Sequence, residues 1–217
     1  MNKLLQEFVQ LKHKYLHYYM LGFVDGEGSF SVTITRHKSA KWGWIIHPTF
    51  LAYQHPNHRE VLELFQYVFK TGTIRQKSPT NIGLVYRIDS IPTLKQRILP
   101  FFKKYKPLVK SNDFKKFCQV VDALTAKQHR NFLGFKSIID TAFSMNDQGK
   151  QRQNTKLIIY REILEKLNQN NIRGLQEPSE TLRRTLEHLI SKEDKVHTSK
   201  PVSYTHLRAH ETPEHLV

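Results

Sequence analysis

The chain has 217 residues, of which 39% are hydrophobic and 11% aromatic, enough for one folded domain with appendages rather than a disordered polymer. A formal charge of +15 and a pI near 9.9 direct attention to polyanionic partners, nucleic acid first and an anionic membrane surface second. A single cysteine, Cys118, excludes an intramolecular disulfide and any multi-cysteine zinc site. No stretch is apolar for long enough to cross a bilayer. The opening residues, Met1-Asn2-Lys3-Leu4-Leu5, lack the apolar run of a secretion signal.

In chain order, residues 4–25 read as a helix, with Leu16, Tyr19, Met20, Phe23 and Val24 at helical spacing. Residues 29–37 alternate Phe30, Val32 and Ile34 with Ser31, Thr33 and Thr35, the period of a half-buried strand. A second extended stretch covers Trp44 to Gln54, and a helix from Asn57 to Phe69 carries Val61, Leu62, Leu64, Phe65 and Val68. Gly72 introduces a strand at Thr73–Lys77, and Ser78-Pro79-Thr80-Asn81 turns into another at Leu84–Ile88. Helices follow at 91–104, 112–127, 131–145 and 154–168. The order αββαββα plus helices predicts an α+β domain with its helices on one face of a four-stranded antiparallel sheet. Its other face carries Ser31, Thr33, Thr35, His47, Thr49, Tyr53, Thr73, Arg75, Lys77 and Arg87. A solvated sheet face is the plain explanation. Arginine and lysine beside hydroxyl and imidazole groups also suit phosphate contacts and base edges, and a β-ribbon fits the major groove.

Between the first helix and strand lies Met20-Leu21-Gly22-Phe23-Val24-Asp25-Gly26-Glu27-Gly28. Glycines allow close backbone approach and a tight turn. The carboxylates of Asp25 and Glu27 among them point to an oxygen-rich site for a hard divalent cation. This nonapeptide resembles the LAGLIDADG motif of homing endonucleases in its LxGFVDGEG form. Downstream, Ile98-Leu99-Pro100-Phe101-Phe102-Lys103-Lys104-Tyr105 and Ser144-Met145-Asn146-Asp147-Gln148-Gly149-Lys150 are similar to later segments of those enzymes. The resemblance runs from about Tyr18 to Arg152. A possible second motif, Asn131 to Asp140, puts Ser137 and Ile139 where the acidic pair should be, and reads as a core helix.

The resemblance implies the αββαββα fold and a sequence-specific, metal-dependent double-strand DNA endonuclease, encoded within an intron. A single carboxylate in the catalytic place implies two copies paired through the motif helix, with Mg²⁺ (or Mn²⁺) held by Glu27 and the carbonyl of Gly26. It further implies Glu27 as the catalytic acid residue in preference to Asp25, and Gln54 as a residue that orders water. A lysine near the phosphate is implied as well. Lys103, Lys104, Lys106 and Lys110 all lie in that stretch, and Lys110 is the choice. DNA contacts are expected from the sheet-face residues with His37, and from Lys150 and Arg152 as phosphate grips. A two-fold dimer would take a long pseudo-palindromic target. An intron RNA maturase and a non-cleaving DNA-binding regulator are the alternatives on the same fold. An intron-encoded enzyme would work in a chloroplast or mitochondrion, or in a bacterial cytoplasm.

The domain is expected to cover residues 1–174. Residues 175–217 read as a charged, partly disordered tail. In it Leu182, Leu186, Leu189 and Ile190 form one amphipathic helix, and disorder is expected past Ser191. The end, about 202–217, looks like a translated sequencing adapter. Its His206 and His210 are not taken as a metal pair.

Overall fold

A computed structural model of the chain describes residues 6–7, 13–146, 155–169 and 179–198. Helix α1 (His13–Glu27) buries Leu16, Met20 and Val24, four residues apart, against the core. It runs straight through the acidic pair, so Asp25 and Glu27 sit in its last turn rather than in a turn beyond it. Gly22, Gly26 and Gly28 take no left-handed φ, so the helix need not stop at them. Gly28 is required for another reason: a Cβ there would overlap Val24 where helix passes into strand.

Strands β1 (Gly28–Arg36), β2 (Trp44–Gln54), β3 (Thr73–Ser78) and β4 (Asn81–Ile88) form one antiparallel sheet in the order β1-β2-β4-β3. Helix α2 (Arg59–Phe69) lies between the two hairpins, and its end is a tight one. Lys70 and Gly72 have positive φ, and a side chain on Gly72 would enter the ring of Tyr86, whose hydroxyl donates to the Thr71 carbonyl at 2.8 Å. The sequence predicts one continuous helix over 91–104. The structure keeps it helical throughout but changes its winding: a turn of α-helix at Ile91–Thr93 and a π-helical stretch at Leu94–Ile98 lead into α3 (Leu99–Lys104). Pro100 explains the slip. It has no N–H for the carbonyl four residues back, and the ladder relaxes to a bond from the Leu99 N–H to the Leu94 carbonyl.

Helices α4 (Ser111–Thr125) and α5 (Phe132–Phe143) close the core from the same side of the sheet. Phe30 is its centre, with ring centroids of Phe50, Phe102, Phe114 and Phe117 at 5.0–5.5 Å. Buried aromatic pairs at these separations add about 1 kcal/mol each beyond their area. Cys118 is half-buried in α4, and burial pushes its thiol up to about 11.

Two further helices, α6 (Lys156–Asn168) and α7 (Ser179–Thr198), pack on each other. Leu182 and Leu186 of α7 are fully buried, as their spacing predicts. The expected disorder past Ser191 is corrected here: α7 stays helical to Thr198. Its later residues Glu193 and Asp194 pair with Lys156 and Arg161 of α6 at 3.0 and 2.9 Å. The boundary expected at residue 174 and the adapter-like segment lie outside the described residues.

Candidate active site and nucleic-acid interface

The sheet's cross-strand register decides which side chains share a face. Ser31 pairs with Thr49, Thr33 with His47, Arg87 with both Leu51 and Thr73, and Val85 with both Tyr53 and Arg75. Directly paired residues of an antiparallel sheet point the same way. Nine of the ten sheet residues nominated from the sequence therefore fall on the face opposite the core, Lys77 at the irregularity in β3 joins them over the Tyr53 ring, and the register adds Ile45, Leu51 and Val85. Alternation along β2 and β4 was the signal that could have found these three. Thr33, Thr35, His47, Thr73, Arg75, Lys77 and Arg87 are exposed, and Ser31 and Tyr53 are partly so.

Thr49 departs from expectation. It is only 4% exposed, a short side chain set between His47 and Leu51 along β2 and opposite Ser31. It is therefore removed from the set of available contacts. The others are held loosely: the Thr35 hydroxyl lies 3.0 Å from His47 Nε2, Lys77 Nζ stands 5.0 Å over the ring of Tyr53, and Arg87 pairs with Asp89 at 3.0 Å. Exposed pairs of this kind are worth about 1 kcal/mol or less, so an incoming anion can displace them. His37 is exposed at the start of the β1–β2 turn. Lys150 and Arg152 lie outside the described residues.

At one end of the sheet, the last turn of α1 is joined to the loop 105–110. The Asp25 carboxylate accepts two backbone N–H groups there, from Leu108 at 2.8 Å and Lys110 at 3.2 Å. Lys110 then folds back, and its Nζ donates to the carbonyls of Asp25 at 2.6 Å and Gly26 at 3.2 Å. Three hydrogen bonds thus fix Lys110 against the turn that carries Glu27, and a fourth, from Leu108, holds its loop there. Of the four lysines in this stretch, Lys110 alone has described contacts to these carbonyls. Asp25 is fully occupied as a clamp. Glu27 is exposed, and no hydrogen bond or ion pair engages its carboxylate among the described residues.

Gln54 ends β2 two residues beyond the Gly28–Ala52 pair, at the end of the sheet where α1 terminates. Its side chain has the parity of Phe50 and Ala52, and its Oε1 accepts the N–H of His55 at 2.8 Å. A glutamine anchored by its own neighbour keeps its amide NH₂ available.

The donors gathered at this turn are oxygens, a carboxylate and the Gly26 carbonyl, which suits a hard cation such as Mg²⁺. They are too few for a complete site. Among the described residues no three His, Cys, Asp or Glu side chains cluster to hold a metal. The described residues of one chain therefore offer an incomplete donor set. Along α1, Tyr15, Tyr18 and Tyr19 are exposed at 61%, 51% and 37%, and a Cβ placed on Gly22 or Gly26 would meet nothing within 4 Å.

Comparison with known proteins agrees with this geometry. The family model described as LAGLIDADG endonuclease matches residues 20–121. The DNA endonuclease I-CeuI of Chlamydomonas moewusii is 38% identical over 87 residues, covering 40% of each chain. A probable intron-encoded endonuclease 2 of Neurospora crassa is 30% identical over 129 residues, 59% of this chain and 28% of that protein. The chain thus spans less than half the length of these curated relatives. Among solved structures, the archaeal intron-encoded homing endonuclease I-Vdi141I, complexed with DNA, superposes with a TM-score of 0.66 at 26% identity. That match covers 71% of this chain and 98% of the other. The homing endonuclease I-TnaI gives 0.59 at 28% identity, covering 69% and 96%. By motif, fold and relatives, residues 20–121 match the LAGLIDADG endonuclease family.

Proposed function

We propose that the chain is a homodimeric, Mg²⁺-dependent homing endonuclease, with Mn²⁺ able to substitute, that cuts both strands of a long pseudo-palindromic DNA site. One observation carries the reading. Lys110 is bonded to the carbonyls of Asp25 and Gly26, beside the open carboxylate of Glu27, at the end of a polar and cationic sheet face.

Hydrolysis forms a bond from a water oxygen to phosphorus and breaks the bond to the 3′-oxygen, which takes up a proton. Glu27 and the Gly26 carbonyl would hold the ion. When bound, the ion supplies neutralisation of phosphate charge and activation of water. The Lys110 ammonium, held at this turn, would add a fixed positive charge beside the phosphate. The Gln54 amide would orient water. Ser31, Thr33, Thr35, His37, His47, Tyr53, Thr73, Arg75, Lys77 and Arg87 would hold the duplex in register, with Lys150 and Arg152 gripping phosphates. The incomplete donor set and the open tyrosine-glycine face of α1 support pairing with a second copy, bringing two Glu27 carboxylates to the two strands. Two-fold symmetry in the protein then predicts two related half-sites in the DNA. The intron-encoded relatives support an origin in an organelle. No helix among the described residues is long and apolar enough to cross a membrane.

The test is cleavage of the uninterrupted host site, rebuilt by joining the flanking exons, with Mg²⁺ or EDTA. Wild-type protein should cut only with Mg²⁺, and Glu27→Gln should bind without cutting. Tight wild-type binding with no cutting under any divalent ion would move the assignment to a maturase or a non-cleaving regulator. A monomer on the bound site would overturn the shared active centre.

A further inference from the structure

The turn joining β1 and β2 is held from behind by the C-terminal helices, which lie beyond the segment matched by the family model. Residues 37–43 close on themselves, with the His37 N–H bonded to the Gly43 carbonyl at 2.8 Å and Gly43 at φ +80. Three links tie this tip to the helices. Lys166 of α6 donates to the Ala40 carbonyl at 2.7 Å and reaches the Lys38 carbonyl at 3.5 Å, its stem 3.9 Å from where a Cβ on Gly43 would stand. Glu162 of α6 pairs with Arg36 at 2.7 Å, and the Arg36 guanidinium lies 4.8 Å over the ring of Trp44. Trp42 is buried against Phe132 and Phe135 of α5, with its indole N–H on the His129 carbonyl at 2.8 Å.

Between tip and α6 lies a cleft of about 800 Å³ lined by Lys38, Ser39, Lys41, Glu165 and Gln169 among others. On the α6 side the tip is thus held chiefly by polar links, not by packed apolar surface. Arg36 has the inward parity of Ile34, so its charge is spent on Glu162 rather than on the open face. His37, Lys38 and Lys41 are carried on the part of the turn that these links position.

The geometry of β1 says where the turn would meet a duplex. Its nine residues run from Gly28, next to Glu27, to Arg36. Eight steps of about 3.4 Å put the turn about 27 Å from the active carboxylate. At about 3.4 Å per base pair that is about eight base pairs from the point of cutting. We propose that Glu162 and Lys166 are positioning residues for DNA recognition: by fixing the β1–β2 turn they set sequence preference at the outer end of each half-site, while the centre is read independently of them. This rests on the endonuclease reading above.

The experiment is selection from a randomised duplex library, without divalent ions, by full-length wild-type protein, Glu162→Ala, Lys166→Met and the charge-swapped pair Arg36→Glu/Glu162→Arg. Affinities are then measured on single-base-pair variants of the wild-type site. Wild-type protein should lose about tenfold in affinity for an outer base-pair change. Glu162→Ala and Lys166→Met should lose less than about twofold there, yet discriminate at the centre as wild type does. The charge swap should restore the outer preference, which a merely structural role would not require. Thermal melting run alongside should move little, because an exposed ion pair contributes little to stability. Unchanged outer preference in both single variants would overturn the proposal, as would equal loss at centre and ends. If wild-type protein selects no sequence at all, the endonuclease reading itself fails, a result separate from a variant-specific one.

Discussion

Replacing Asp25 by asparagine isolates the clamp from the rest of the site. The side chain keeps its shape, but one oxygen becomes an NH₂ group facing a backbone N–H, either that of Leu108 at 2.8 Å or that of Lys110 at 3.2 Å. One charge-assisted bond is lost and the other becomes neutral. Hydrogen bonds to charged groups are worth about 1.5–3 kcal/mol, and at this partly solvated position the lower end applies. A loss of about 2 kcal/mol lowers the melting temperature of a chain this size by about 4–8 °C. Against a stability of about 5–15 kcal/mol the protein remains folded at 25 °C. Cleavage should fall much further than the folded fraction. Lys110 is no longer held over the carbonyls of residues 25 and 26, and loss of a preorganised donor costs about 10²–10³ in rate. The assay is single-turnover cleavage by wild type, Asp25→Asn, Lys110→Met and the double variant. If Asp25 acts through Lys110, Asp25→Asn should cost less than about threefold once Lys110 is methionine, the non-additivity expected of residues in one network. Full multiplication of the two single effects would refute the clamp.

Three further outcomes follow from the same coordinates. Gly72→Ala forces φ +90 on a residue with a Cβ and drives that Cβ into the Tyr86 ring, so thermal or urea melting should show a loss of about 3 kcal/mol. Cys118, whose thiol is pushed by burial from 9.0 to about 11, should resist alkylation at pH 8 in the native protein and react once unfolded. Because its folded value is the higher one, this stabilising contribution is present below pH 9 and is lost as pH rises through about 11. Binding of the wild-type protein to its site should weaken by about 10³ or more between 50 and 200 mM salt if six or more phosphates are neutralised. A flat salt response would show that the charge of +15 is not spent on the duplex.

What could be read without coordinates was whatever repeats with a period. The two-residue alternation of 29–37 placed Phe30, Val32 and Ile34 inside, and the register then carried the polar residues of four strands to one face. The same parity rule, applied along β2, would have put Leu51 on that face and Gln54 on the core side. Composition conceals this, because Leu51 is apolar on the open face and Gln54 is polar on the core side. Burial of Thr49 was not legible, since it depends on the taller residues around it. Nor was the Asp25 clamp, whose partners are 83 and 85 residues away. The π-helical stretch before Pro100 was signalled by the proline itself. The helix beyond Ser191 depends on ion pairs to α6 that no local window contains.

The side chains on the open sheet face stand away from the aromatic core, and the consequence is one of engineering freedom. Thr33, Thr35, Arg75 and Arg87 can be exchanged without taking a contact from Phe30 or its neighbours, so a library varied at these positions should keep nearly all its members folded. Thr49 belongs outside that library, and its randomisation should act as a filter for collapse rather than for new targets. Address and scaffold are written in different residues of the same strands.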